Sequence, residues 1–483
     1  MFTKLTYKAM MKKIIFLTTF TLFSCASQKP IEPNQVLDFD VPEQWEVSIS
    51  QNLDFDQEWW KIFNDDNLNS YLIEFMDKNI NLEKAMLNTR KAKQASVIAT
   101  GSLFPSISVN SSAVESEQNT AGFPPFFSTL FGQSSDEVTV FTQENYNLSL
   151  GTQWEIDLWG KLRQGRIATK QQYLSAMYYE DFLKLSLTAE ASKLYFSIIE
   201  AEQVLNNASK KLKNAETIFE LYSLRYYKGS IPIQAYQQSE IIFNATKSDY
   251  NNKLLIVNSL KREAKLLVKD YPSTEFVVNN NFPKKLPSIP STVPADIVKR
   301  RPDLIAQQYN LLANKALDRQ ALLTLFPTFS LTGSYGSSSN DLEDLTNEDF
   351  SVWNKGLNVF VPVFNAGKLI ANKKLAKTNR EIAMLDFVNT LLNAYKEVES
   401  GFESDLTSNQ ALEIINQNII LSESIYNTTF EGFIKGSSTF EDAINANNAL
   451  YDNLDLKARL EKVRIEQRIN LILALGGGFK TND

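Results

Sequence analysis

The hydrophobic and polar positions of this chain follow two periods. From Tyr146 to Leu158 the alternation is unbroken. Tyr146, Leu148, Leu150, Thr152, Trp154, Ile156 and Leu158 fall on one side, and Asn147, Ser149, Gly151, Gln153, Glu155 and Asp157 on the other. A period of two over 13 residues predicts a β-strand with one apolar and one polar face. Weaker alternation follows Pro105 (Ile107, Val109, Ala113) and Pro327 (Phe329, Leu331, Tyr335), and Leu357, Val359, Val361 and Val363 give a fourth run. The expected strands are about 105–115, 145–158, 327–336 and 356–364. Polar loops at about 116–144 and 337–354 join them in pairs. The first loop contains Gly122-Phe123-Pro124-Pro125-Phe126-Phe127; the second is acidic, with Asp341, Glu343, Asp344, Glu348 and Asp349.

After each strand pair the pattern turns helical and stays so. Residues 161–231 contain no proline. A helix from about 161 to 225 would be ~97 Å long at ~1.5 Å per residue. Met384, Val388, Leu391, Tyr395, Val398 and Phe402 step by 4, 3, 4, 3 and 4, a heptad seam that predicts coiled-coil packing. Lys228-Gly229-Ser230 and Lys435-Gly436-Ser437 are expected to reverse the chain into a second long helix, with Gly ending one helix and Ser capping the next.

These elements occur twice. The 25 residues Asn81–Pro105 match Asp303–Pro327 without a gap. Gly160-Lys161-Leu162 recurs as Gly367-Lys368-Leu369. The step from Gly160 to Gly229 is 229 − 160 = 69, and from Gly367 to Gly436 it is also 436 − 367 = 69. Only the stretch between the Pro and the Gly differs, 160 − 105 = 55 against 367 − 327 = 40. Two tandem copies of one structural module, each with a variable loop, are expected.

Near the N-terminus, Lys12 and Lys13 precede an apolar run, Ile14–Phe23, too short to span a bilayer as a helix. It reads as a signal peptide, 1–24, with the true start at Met1, Met10 or Met11. Leu22-Phe23-Ser24-Cys25 closes the run like a bacterial lipoprotein signal, although Phe23 stands where a small residue is usual. Cys25, the only cysteine, is the expected lipid attachment point. Residues 26–58 read as an extended linker.

Composition narrows the chemistry. Lys plus Arg is 49 and Asp plus Glu is 56, so the formal net charge is −7, which argues against a nucleic-acid partner. With no histidine and one cysteine, the commonest general base, the commonest metal ligand and any disulfide are missing. No catalytic, cofactor or metal site is expected, and a hydrolase is disfavoured. Later segments offer no run of 18 apolar residues. A membrane crossing would have to use strands of a closed barrel, with Tyr146, Leu148, Leu150, Trp154 and Ile156 facing lipid. Four strands cannot close a barrel. Three copies would supply 3 × 4 = 12 strands, with the helices continuing as a tube.

The chain resembles the outer-membrane channel components of bacterial efflux systems, the TolC/OprM-like family, and its lipoprotein branch in particular. The carriers are Trp59-Trp60-Lys61-Ile62-Phe63-Asn64-Asp65, Trp154-Glu155-Ile156-Asp157-Leu158-Trp159-Gly160-Lys161, Arg300-Arg301-Pro302-Asp303, Phe326-Pro327, Pro362-Val363-Phe364-Asn365-Ala366-Gly367 and Ala474-Leu475-Gly476-Gly477-Gly478-Phe479. The resemblance implies a mainly α fold with a transmembrane β part. A trimeric 12-stranded β-barrel would sit in the outer membrane, and an α-helical barrel would cross the periplasm. It implies a homotrimer in outer-membrane lipid, with a periplasmic adaptor and an inner-membrane pump as partners.

On this plan the domains are a signal at 1–24, an anchored linker and equatorial part at 25–66, repeat 1 at 67–268, an equatorial linker at 269–300, repeat 2 at 301–475 and a tail at 476–483. Lys228, Gly229, Ser230, Lys435, Gly436 and Ser437 become the periplasmic-tip turns that contact the adaptor. The acidic residue that rings the opening in relatives appears here as Asn445, so Glu441 and Asp442 join it as constriction candidates. The implied function is a passive exit duct for small molecules. Export of a protein or peptide by a type I secretion system, and a periplasmic coiled-coil lipoprotein, are the alternatives.

Overall fold

The computed structural model describes residues 45, 54–56, 58–119, 140–283, 286 and 300–480. All lie within one compact unit, Val41–Asp483. The signal segment, Cys25 and the tip of the first loop fall outside the described residues.

The chain enters with a short strand, β1 (Asp54–Asp56), a 3₁₀ turn (Trp59–Phe63) and helix α1 (Asp66–Lys78). Helix α2 (Ile80–Gly101) leads into strands β2 (Ser106–Asn119) and β3 (Val140–Ile156). Helix α3 (Lys161–Tyr227) then runs 67 residues, ~100 Å by helix rise, before α4 (Ile233–Leu267) returns. The second half repeats the plan: α5 (Pro302–Leu323), β4 (Thr328–Ser339), β5 (Ser351–Phe360), α6 (Lys368–Lys435) and α7 (Phe440–Ala474), with β6 (Gly478–Lys480) last. Helix α6 starts 368 − 161 = 207 residues after α3, and α7 starts 440 − 233 = 207 after α4.

Strands β2-β3-β4-β5 form one antiparallel sheet in sequence order, so β2 and β5 are its edges. The helices form a matching layer. Helix α3 packs on α2, α4, α5 and α7, while α6 packs on α5 and α7. Thus α2, β2 and α4 line one margin of the protomer, and β5 and α6 line the other.

The main core sits part-way along α3, away from the sheet. Trp59, Trp60, Phe63, Leu68, Leu72 and Phe75 pack there on Tyr195, Phe196, Ile198 and Ile199. Phe63 meets Phe196 edge-on at 5.1 Å. Buried Asp65 caps α1 through the Leu68 N–H (3.0 Å) and accepts the Tyr195 hydroxyl at 2.9 Å. Tyr195 in turn accepts the Asn279 N–H at 3.1 Å. Burial pushes the Tyr195 hydroxyl well above its ordinary pKa, which keeps it a donor to the carboxylate. Arg301 ties three helices together: it grips Asp303 (2.7 Å), Glu397 of α6 (2.7 Å) and the Ala474 carbonyl at the end of α7 (3.2 Å).

Several boundaries differ from expectation. Strand β2 runs on to Asn119 and β3 starts at Val140, because ladder pairing continues through polar residues such as Glu117 and Thr142 after the apolar alternation stops. Strand β5 lies at 351–360 rather than 356–364; Pro362 has no N–H to give a ladder. The tip serines do not cap the following helices, whose N-caps are Pro232 and Thr439. Instead the Ser230 N–H donates to Arg225 O and the Ser437 N–H to Gly432 O, which closes the preceding helix. The stretch read as linker contains β1, which pairs with β6 at the far end of the chain, Phe55 opposite Phe479.

Candidate functional site

The sheet register decides which side chains share a face. Directly paired residues point the same way. Val109, Leu150, Tyr335 and Trp353 form one row, and Ile107, Thr152, Gly333 and Lys355 the next. Trp154, Leu331 and Leu357 follow, and then Ile156, Phe329 and Val359. From the Tyr146 row to the Ile156 row is 10 residues, ~33 Å of strand, or ~25 Å in height at a ~40° tilt. That is the height of a transmembrane apolar band. Leu148, Leu150 and Trp154 are exposed in the single chain, whereas Tyr146 and Ile156 are half-buried. Beyond the sheet, Val363 and Phe364 are 91% and 89% exposed, an apolar surface with no cover within the chain.

The opposite face carries Ser108, Asn110, Ser149, Gln153, Thr332 and Asn358 among its residues. Its one acid on β3, Glu155, is paired with Lys161 at 2.6 Å. Asp157, just past the strand, accepts the backbone N–H groups of Leu162 (3.0 Å) and Arg163 (2.8 Å) and so caps α3. Each of these two acids is thus held by its own structural contact.

The other candidate region is the helix tips. Gly229 (φ +68°) and Gly436 (φ +83°) take left-handed conformations that close α3 and α6. Lys228, Gly229 and Ser230, and Lys435, Gly436 and Ser437, are all exposed. Behind them an aromatic cluster joins the two hairpins. Tyr222 of α3 meets Phe440 at 4.8 Å and stacks on Phe433 at 6.1 Å. The Arg225 guanidinium lies 5.8 Å from the Phe433 ring and 6.0 Å from that of Tyr222.

Glu441, Asp442 and Asn445 all open to solvent on the first turns of α7. Their roles differ. The Thr439 hydroxyl accepts the Asp442 N–H (3.1 Å), and the Asp442 carboxylate accepts the Thr439 hydroxyl (2.6 Å) and N–H (3.1 Å), a complete capping box. Those hydrogen bonds, the hydroxyl's first, hold the Asp442 carboxyl below the usual carboxylate range. Glu441 and Asn445 sit four residues apart on one helix face, next to buried Ala446 and Asn447.

Two features escaped the alternation pattern. Lys355 lies on the apolar face, and the aromatic tip cluster spans residues more than 200 positions apart, Tyr222 and Phe433. The odd-numbered parity of β5 would have exposed the first; nothing local reveals the second.

The profile of the outer membrane efflux protein family matches residues 74–255 and 293–477. The chain belongs to that family. It is an outer-membrane component of an efflux system. Over 486 residues it is 23% identical to the pyoverdine export outer membrane protein OpmQ of Pseudomonas putida, covering 96% of this chain and 97% of that one. It is 25% identical to the probable outer membrane lipoprotein SilC of Salmonella typhimurium, covering 97% and 99%. The solved outer membrane channel CmeC of Campylobacter jejuni shares the fold, with a TM-score of 0.81, 23% identity, and 94% and 96% coverage. These relatives are named, in turn, as an export protein, a probable lipoprotein and a channel, all of the outer membrane. In this member of the family the described residues hold no cluster of metal-ligating side chains.

Proposed function

We propose that this protein is the passive exit duct of a tripartite efflux system, a homotrimer whose 12 strands cross the outer membrane and whose helices span the periplasm. The observation that carries it is the open protomer. Each chain has an amphipathic four-stranded sheet that cannot close, with a free edge at β2 and another at β5. The helical layer is open along the same two margins. Head-to-tail packing of three copies joins β5 to β2 and removes every sheet edge. The apolar face then meets lipid and the polar face lines the lumen.

The lumen chemistry supports small solutes. Its serines, asparagines and threonines offer hydrogen bonds, and its β3 acid is neutralised by Lys161. One relative is named for exporting pyoverdine. The duct has no energy source of its own, so it needs a pump in the inner membrane and an adaptor between them. Tyr227, Ile233 and Ile434, exposed around the two tip turns, are the surface we assign to the adaptor. Cys25 is the proposed lipid anchor. Replacement by Ser should abolish fatty-acid labelling, and unchanged labelling refutes the assignment.

The function itself is tested by reconstitution. Purified protein in planar bilayers should give uniform channels, and a deletion strain carrying it should regain export of small compounds only with adaptor and pump present. Export without either partner contradicts the duct reading.

A further inference from the structure

The strands carry three acids on the lipid-side face, Glu115 and Glu117 of β2 and Glu144 of β3, and one base, Lys355 of β5; Lys355 and Glu115 lie on the two opposite edge strands. Lys355 of β5 is in the row of Ile107 and Thr152, near the middle of the apolar band. It is exposed, and its ammonium lies 5.3 Å from the Trp353 ring centroid. Among the described residues it has no carboxylate partner in its own chain. A lysine at that depth facing lipid is destabilising unless its charge is compensated. Glu115 of β2 lies directly opposite Glu144 of β3 on the same face, a like-charge pair that opposes pairing. The Tyr146 hydroxyl donates to Glu144 at 2.9 Å, which leaves Glu115 as the unrelieved acid of the pair.

We propose that Lys355 of one copy pairs with Glu115 of the next copy across the β5–β2 seam, and that this ion pair selects the register in which the chains close. The proposal rests on the trimeric reading above.

The register follows from three constraints. First, within the chain Gly356 is level with Ser106, so the four residues Leu357–Phe360 project past the start of β2. The next copy must therefore be offset to meet them. Second, the offset is even, because an odd one would turn the apolar face inward. Third, the strands must tilt by roughly 35–45°. With ~3.4 Å per residue and ~4.8 Å between strands, an offset of four residues per copy gives a tilt of ~35°, and six gives ~46°. Two and eight give about 19° and 54°.

An offset of four sets Lys355 opposite Ser111, leaving Glu115 out of reach. An offset of six sets it opposite Ala113, with Glu115 on the adjacent diagonal at ~7–8 Å between backbones, within the span of a lysine side chain. Of the two registers whose tilt fits a barrel, only that one compensates the lysine and relieves the Glu115–Glu144 repulsion together; an offset of eight would also bring the charges together but is excluded by its tilt. The pair then behaves as a seam lock, repeated three times around the barrel.

The test uses the full-length trimer carrying Cys25→Ser. Lys355→Glu and Glu115→Lys should each lower the temperature at which the trimer dissociates in detergent, and the double reversal should recover at least half of the loss. Lys355→Cys with Ala113→Cys should give a disulfide-linked ladder up to trimer, while Lys355→Cys with Ser111→Cys should not. If the trimer forms but the reversals do not compensate, or the Ser111 pair cross-links instead, the proposal is overturned and the trimer stands. If Glu115→Lys has no effect, Lys355 answers to a lipid phosphate, which also overturns it. A chain that never trimerises ends both readings.

Discussion

Arg468 of α7 holds both carboxylate oxygens of Asp405 on α6, at 2.7 and 2.8 Å, with both side chains largely buried. The pair clamps the two antiparallel helices of the second hairpin near the C-terminal end of α7, far from the tip turn. Removing one partner takes a bidentate contact from a largely buried charge, and breaking such a pair costs about 3–5 kcal/mol. Asp405→Asn should therefore lower the melting temperature by several degrees or more. Arg468→Met with Asp405→Leu should recover much of the loss. Calorimetry of the detergent-solubilised protein checks both; an unaffected Asp405→Asn would mean the pair is only a surface contact.

The two acids at the start of α7 separate by role. Asp442 is used by its capping box, and its lowered pKa fixes the sign of its pH effect. Its stabilising contribution is present above the ordinary carboxylate range and is lost only as pH falls through the depressed folded value. Thr439→Ala should cost about 1 kcal/mol of tip stability with ion preference unchanged. Glu441→Gln should lower cation preference in single-channel recordings, because an exposed carboxylate near a threefold axis attracts cations. Equal effects from Asp442→Asn and Glu441→Gln would count against this division.

Half-buried Glu461 predicts a pH effect of the opposite sense. Burial pushes its carboxyl up, with Lys457 and Arg464 partly offsetting this. The folded state therefore prefers the protonated form, and stability rises as pH falls through the raised value. Glu461→Gln should raise the melting temperature at pH 7.5, and the gain should shrink toward pH 4. A gain that is constant with pH would show that the charge is not responsible.

Much of this architecture was legible in sequence because the controlling forces are local. Strict alternation in β3, proline-free stretches and glycine turns are decided within a few residues of each other, as is Pro302 at the start of α5. The missing pieces depend on long-range partners. The β1–β6 pair joins Phe55 to Phe479, and Tyr222 finds Phe433 only after two helices have folded back. Asp442 looks like pore charge until Thr439 is seen to claim it. Lys355 falls outside the apolar run that marks the fourth strand, because that run starts at Leu357.

The tip turns predict a separation of assembly from export. At Gly436 any side chain must hold a left-handed backbone, at a cost of about 1–2 kcal/mol, although nothing lies near enough to clash. Gly436→Val should leave trimer yield unchanged and reduce export by loosening the adaptor surface. Loss of trimer with retained adaptor binding would reverse that assignment.

Lipid and lumen faces are separable by charge. Leu150→Arg should cost about 2–4 kcal/mol per chain in refolding into lipid vesicles, and Ser149→Arg, one residue away on the other face, far less. Reversed sensitivities would invert the barrel.

The proposed duct requires three open protomers to close into one tube. Single-particle imaging of the detergent-solubilised protein tests it most directly. The expected particle is threefold symmetric, with a short barrel continued by a helical tube for ~100 Å or more and an axial lumen throughout. A particle of one or two chains, or a solid helical bundle with no lumen, would contradict it.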